Sequence, residues 1–185
     1  MHMMFPVNHV PVTKRIVALS FVLAFVFCCS CKKGDTGPAG TANVLYSDWF
    51  TATPWAQTTV FGTKNFDYTK TAPGITQNVI DSGVVLVFGK LSGYSPSIWP
   101  TGQVSQLPIL LTYVQGATQT DTWSAYTTLG NLRINFVNNT NLYGNISTAH
   151  SFRYIIVPGA VKTGRRMDLR SMSYEEVCAY LNIPR

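Results

Sequence analysis

The chain has 185 residues, of which 46% are hydrophobic and only 12% charged, with a formal net charge of +6. A typical soluble domain carries ~25% charged residues, so low charge with plentiful Val, Ile, Leu and aromatics excludes a disordered chain and points to a β-rich extracytoplasmic one. The positive residues form no stripe interleaved with aromatics, which excludes a nucleic-acid footprint, and the length allows one ordinary domain.

The first predicted element is an export leader. Lys14-Arg15 precedes a largely apolar run, Ile16 to Phe27, broken only by Ser20. That is the positive n-region and short h-region of a signal peptide, with Met1, Met3 and Met4 all possible starts. The run is too short to span a bilayer comfortably, which takes ~20 helical residues. Cys28-Cys29-Ser30-Cys31 follows. Signal peptidases accept small residues before the cut, so cleavage after Ser30 leaves Cys31 to be lipidated. The segment resembles a bacterial lipobox, with Cys28 standing where Leu is usual. Loss of Cys28 and Cys29 with the leader leaves Cys178 as the only free thiol, so no intrachain disulfide is expected.

Residues 31–42 read as a linker. Lys32 and Lys33 would lie at the lipid surface, and Gly34-Asp35-Thr36, Gly37-Pro38-Ala39 and Gly40-Thr41-Ala42 are Gly-x-y triplets of collagen type. They are too few to hold a triple helix alone and read as a flexible spacer, the alternative being a remnant that helps the chain trimerise. The expected organisation is therefore leader 1–30, lipidated Cys and linker 31–42, and folded domain 43–185.

In the domain, Val44 to Phe50 is predicted as a first strand, followed by Thr58 to Phe61 and Asn65 to Thr69. Thr76 to Ser82 reads as a short helix capped by Thr76, stapled by Ile75 and Ile80, and stopped by a left-handed Gly83. Val84 to Phe88 is apolar at every position, the mark of a strand covered on both faces. Gly93 to Gly102 is a Pro-rich loop. Leu107 to Val114, Thr122 to Leu129, Leu132 to Val137 and Phe152 to Val157 are further strands, with Gly130-Asn131 as a hairpin turn. Ser173-Tyr174-Glu175-Glu176 is a capping box. It opens a helix whose Tyr174, Val177, Cys178 and Leu181 share one apolar face. Short strands separated by turns make the expected fold mainly β: an antiparallel β-sandwich with one short internal helix and a short C-terminal helix.

Cys31 to Gly40 followed by Asn43 to Trp49, together with Ala72 to Val87 and Phe152 to Gly159, resembles the collagen-like (Gly-x-y linker) lipoproteins of Bacteroidota. The resemblance implies an envelope lipoprotein held by its lipid at the outer membrane, on either face. None of the matching motifs is catalytic, so it implies no chemistry.

Supply for catalysis is thin. The mature chain has one histidine, His150, and Asp48, Asp67, Asp81 and Asp121 have no spacing that demands a paired-carboxylate site. Cys178 falls on an apolar helix face, where a thiol acts as a small hydrophobe. No catalytic residue, metal or cofactor is expected. Two features suit binding. Trp55 and Trp99 beside prolines, with Tyr94, offer flat rings to the apolar faces of sugars. Lys162, Arg165 and Arg166 form the densest basic stretch of the domain and suit an anion. The expected function is thus a non-enzymatic, membrane-tethered binding or structural module with a glycan or envelope-protein partner. The alternatives are a polysaccharide-acting hydrolase and a surface-assembly subunit.

Overall fold

The computed structural model describes residues 44–159 and 168–185. The leader, Cys31, the linker, and Lys162, Arg165 and Arg166 lie outside the described residues.

The elements run in order β1 (Leu45–Tyr46), β2 (Phe50–Thr51), β3 (Ala56–Val60), β4 (Thr63–Thr71), α1 (Gln77–Ser82), β5 (Val84–Lys90), β6 (Ser105–Gln106), β7 (Ile109–Gln115), β8 (Ala117–Thr128), β9 (Asn131–Asn138), β10 (Ser151–Val157), a 3-10 turn (Leu169–Ser171) and α2 (Tyr174–Leu181). Two antiparallel sheets form a β-sandwich. One has the order β1-β10-β5-β6, with β2 also on β10; the other runs β3-β4-β9-β8-β7. The expected first strand, Val44 to Phe50, is instead two short strands, which pair with different ends of β10.

Period-2 alternation drives the layering. Phe66, Ile134, Phe136 and Trp123 of the second sheet face Val87, Phe152 and Ile156 of the first, forming the main core. The alternate residues of β5 and β10, Leu86, Phe88 and Ile155, point the other way, into a second core beneath Tyr174, Val177, Cys178 and Leu181 of α2. The unbroken apolar run of β5 follows from this arrangement, because both of its faces are dry. The sandwich is therefore three layers thick on one side: open sheet, covered sheet, helix.

Both helix starts form as their sequences dictate. Thr76 Oγ1 accepts from Val79 N, and Ser173 and Glu176 complete the reciprocal capping box. Two details differ. Ile80 is exposed and Val79 takes the buried position, so the Ile75–Ile80 staple is absent. Gly83 is extended (φ −87°) rather than left-handed. Glycine is needed there for space, since a Cβ would lie 2.8 Å from Val79 O and 2.9 Å from Val157 O. The β8–β9 turn is Leu129-Gly130, one residue earlier than expected, with Gly130 at φ 73°.

Arg153, on the outer side of β10, is buried beneath α2. Its Nε donates to Ser47 O at 2.9 Å, and its Nη1 to Tyr174 Oη at 2.5 Å and Pro184 O at 2.7 Å. These neutral acceptors take three of the guanidinium's five N–H donors and tie both ends of the domain to one central strand.

Candidate binding face and the buried carboxylate

The three aromatic residues expected to bind sugar are used in the interior. Trp99 is 5% exposed within the main core. Trp55 is half-buried, with its ring 6.0 Å from Trp123, 6.1 Å from Tyr68 and 6.5 Å from Phe152. The indole N–H groups of both tryptophans find no acceptor among the described residues. Neighbouring prolines do put these residues in loops, but the loops fold inward to close the sandwich. Trp55 and Trp99 form no exposed coplanar pair among the described residues, and the expectation of a Trp55–Trp99–Tyr94 platform is corrected.

Tyr94 joins a polar cluster that the sequence did not announce. Asp121 lies on the inner face of β8, fully buried, two residues from Trp123. Its Oδ2 accepts from Tyr94 Oη at 2.8 Å, Tyr143 Oη at 2.8 Å and Tyr113 Oη at 3.1 Å. Its Oδ1 accepts from Asn138 Nδ2 at 2.7 Å. Tyr113 and Tyr143 hydroxyls are themselves 2.6 Å apart. Three phenol protons serve these four oxygen–oxygen contacts, so one proton of the Tyr113–Tyr143 pair is shared between the other hydroxyl and Asp121. Burial, reinforced by the Asp121 charge, raises Tyr94 well above the ordinary phenol range; burial and hydrogen bonding raise Tyr143 likewise, and all three phenols stay protonated. Asn138 Oδ1 in turn accepts from Thr140 N and Leu142 N, both at 3.0 Å, ordering the loop that carries Tyr143. His150 stacks edge-on against Trp123 at 4.7 Å and accepts the Ser92 N–H at Nδ1 over 3.1 Å. Burial depresses it to about 4, only partly offset by the Asp121 charge. This network seals one end of the sandwich with satisfied polar groups.

The other acid and thiol candidates are dispersed. Asp121 faces inward and Asp67, between inward-facing Phe66 and Tyr68 on β4, faces outward, so one sheet separates them. Asp81 accepts from Gln77 Nε2 at 2.8 Å on α1. Cys178 is buried in the outer core and His150 sits against Trp123 of the inner one, on opposite sides of the covered sheet.

What remains open is the outer face of the second sheet. α1 lies against β5 and α2 on the first sheet, so neither described helix covers it. Because Phe66, Ile134, Phe136, Trp123 and Ala125 point inward, Asp67, Arg133, Asn135, Ser124 and Tyr126 point outward. Register aligns them in two adjacent rows, Asp67–Asn135–Ser124 and Thr69–Arg133–Tyr126. Asn135 Nδ2 donates to Asp67 Oδ1 at 3.0 Å, and Arg133 Nε lies 3.7 Å from the same oxygen. The Arg133 guanidinium sits 4.7 Å from the Tyr126 ring centroid, fixing a ring that remains 47% exposed. Asp67 Oδ2 has no protein partner among the described residues. A cleft of about 180 Å³ lined by Val79, Val85, Val87, Leu107 and Ala125 is smaller than the ~300 Å³ at which small-molecule sites begin.

No family model, curated protein or solved structure matches the chain. The chemistry must therefore be read from these residues.

Proposed function

We propose that this chain is an envelope lipoprotein, lipidated at Cys31, whose sandwich domain is a non-enzymatic module binding a glycan on the open face of the second sheet. The observation that carries the reading is the Tyr126–Arg133–Asp67–Asn135 array. A pyranose offers an apolar C–H face and a rim of hydroxyls. The exposed Tyr126 ring suits the former, while the guanidinium of Arg133 and the carboxylate of Asp67, held in place by the buried Asn135 amide, suit the latter. Shallow flat sites of this kind fit a polymer lying across the strands better than a small enclosed ligand. The collagen-like lipoprotein resemblance supports the same setting, outside the inner membrane.

A glycan array probed with the full chain in detergent tests it. Binding to a polysaccharide is expected, reduced at least tenfold by Tyr126→Ala and by Arg133→Ala but unaffected by Glu175→Gln, an exposed residue of α2 beyond the covered sheet. Binding that survives both substitutions, or none to any glycan, would overturn the assignment. Mass spectrometry of the membrane-extracted protein should find Cys31 N-terminal and acylated.

A further inference from the structure

The β3–β4 hairpin turns through Phe61-Gly62, closed by the Val60↔Thr63 pair. Both turn residues have positive φ, 48° and 78°, the type I′ pattern that favours Asn-Gly. Phenylalanine is costly there, because a bulky side chain in the left-handed region crowds its own backbone. Burial does not offset that cost, since Phe61 is 103% exposed, the most exposed of the large hydrophobic residues described. The tip is nevertheless held in place. Asn141 Nδ2 donates to Gly62 O and Asn141 Oδ1 accepts from Lys64 N, both at 2.7 Å. A braced ring that serves neither its turn nor the core of its own molecule is poised to meet something outside it.

A matching hole lies in the same chain. The cleft of about 180 Å³ runs between Val85 and Val87 of β5 and Ala125 and Thr127 of β8, with Ile80 of α1 and Arg170 in its wall. It is small for a ligand, but a cavity of ~150 Å³ takes one benzene ring. The Arg170 guanidinium pairs with no carboxylate among the described residues, and a guanidinium over a ring is favourable. Phe61 cannot reach its own cleft. Register sets Asn65 of β4 level with Val137 and Thr122, so the tip stands toward the start of β8, while the cleft lies toward its end. We propose that Phe61 of one copy inserts into this cleft of a second copy, in a head-to-tail contact. Size, apolar walls and a free cation in the hole, and a ring with no place in its own molecule, select this occupant. Knob and hole are different surfaces, so every added copy presents a new one of each and the contact propagates. Burying one ring removes ~150–250 Å², far below the ~1,200 Å² of a stable interface. The contact is therefore weak in dilute solution and is favoured where copies crowd on one membrane. It stands whether or not the open face binds a glycan.

The test expresses the full chain in the membranes of a Gram-negative host. One copy carries p-azidophenylalanine at position 61 together with Thr127→Trp, so that it can insert but not receive. A tagged second copy is expressed beside it. Ultraviolet light should join the two when the second copy is unsubstituted, and equally when it carries Phe61→Asn, which keeps the cleft and suits the turn. The yield should fall at least tenfold when the second copy carries Thr127→Trp, because an indole there fills the cleft. Thr127 is exposed, and circular dichroism checks the fold; if that variant misfolds, peptide mapping of the adduct decides, with attachment within residues 79–87 or 125–127 of the second copy expected. Absence of the adduct, attachment to lipid or to a different protein instead, attachment elsewhere on the second copy, or a yield indifferent to Thr127→Trp overturns the proposal. Mass spectrometry of the same membranes reads the state of Cys31, so failure of the tether and failure of the contact are told apart.

Discussion

The hydroxyl of Tyr94 donates to Asp121 Oδ2 over 2.8 Å while accepting from the indole N–H of Trp123 over 3.2 Å. One loop side chain thereby satisfies a buried carboxylate and a buried indole together. Its loss should cost more than loss of a hydroxyl nearer the surface. Tyr94→Phe leaves Trp123 Nε1 without its acceptor, and the expected destabilisation is about 2–3 kcal/mol. Tyr113→Phe leaves Asp121 still bonded to Tyr94 and Tyr143 and should cost under about 1 kcal/mol. Urea unfolding of the two variants checks the order; equal midpoints would deny Tyr94 its double role.

His150 makes stability depend on pH in a definite window. Its folded value, about 4, lies below the ~6.5 of an unfolded chain. The unfolded state therefore binds the proton first as pH falls. The stabilising contribution is complete above about pH 6.5 and is lost as pH drops toward 4, by roughly 3 kcal/mol at most. Denaturant midpoints measured at pH 7.5 and 4.5 should differ less in His150→Phe than in the unsubstituted protein, since carboxylate titration is common to both.

Cys178 reports on the docking of α2. The thiol is buried under the helix and should resist maleimide until the layer opens. An N-cap hydrogen bond of the kind made by Ser173 contributes about 1 kcal/mol. If α2 opens locally, Ser173→Ala should accelerate Cys178 labelling about fivefold. Site-resolved mass spectrometry measures this; an unchanged rate would mean that the thiol is exposed by an opening that leaves the Ser173 cap intact.

Tryptophan and tyrosine variants should separate packing from recognition. Trp99→Ala removes a large side chain from the core and is expected to cost about 3–5 kcal/mol. Tyr126→Ala removes an exposed ring and its stacking on Arg133, costing under about 1 kcal/mol. Thermal melts alongside the glycan array should show stability lost in the first and binding lost in the second.

Much of the architecture was written in local pattern. The capping box at Ser173, the cap at Thr76, the apolar stripe of α2 and the two-sided burial of Val84 to Phe88 each depend on neighbours within a few residues, and each formed as read. The outward set on β8 and β9 was latent in the same way. Alternation sends Trp123 and Ala125 one way and Tyr126 the other, but which residues stand beside Tyr126 depends on register. Asp121 was hidden because the strand was expected to begin at Thr122, which left it in a turn. The true strand starts at Ala117 and carries Asp121 into the core.

Backbone preferences and hydrophobic period are properties of contiguous residues, so strands, caps and the covered strand followed from the order of the amino acids. Burial of a particular ring or carboxylate is a property of distant segments meeting. Proline beside Trp55 and Trp99 could specify a loop but not its direction. Four separate segments had to converge before Tyr94, Tyr113 and Tyr143 could find Asp121. Only the assembled sandwich decided that those tryptophans fill its core and that Tyr126 and Arg133 share its open face.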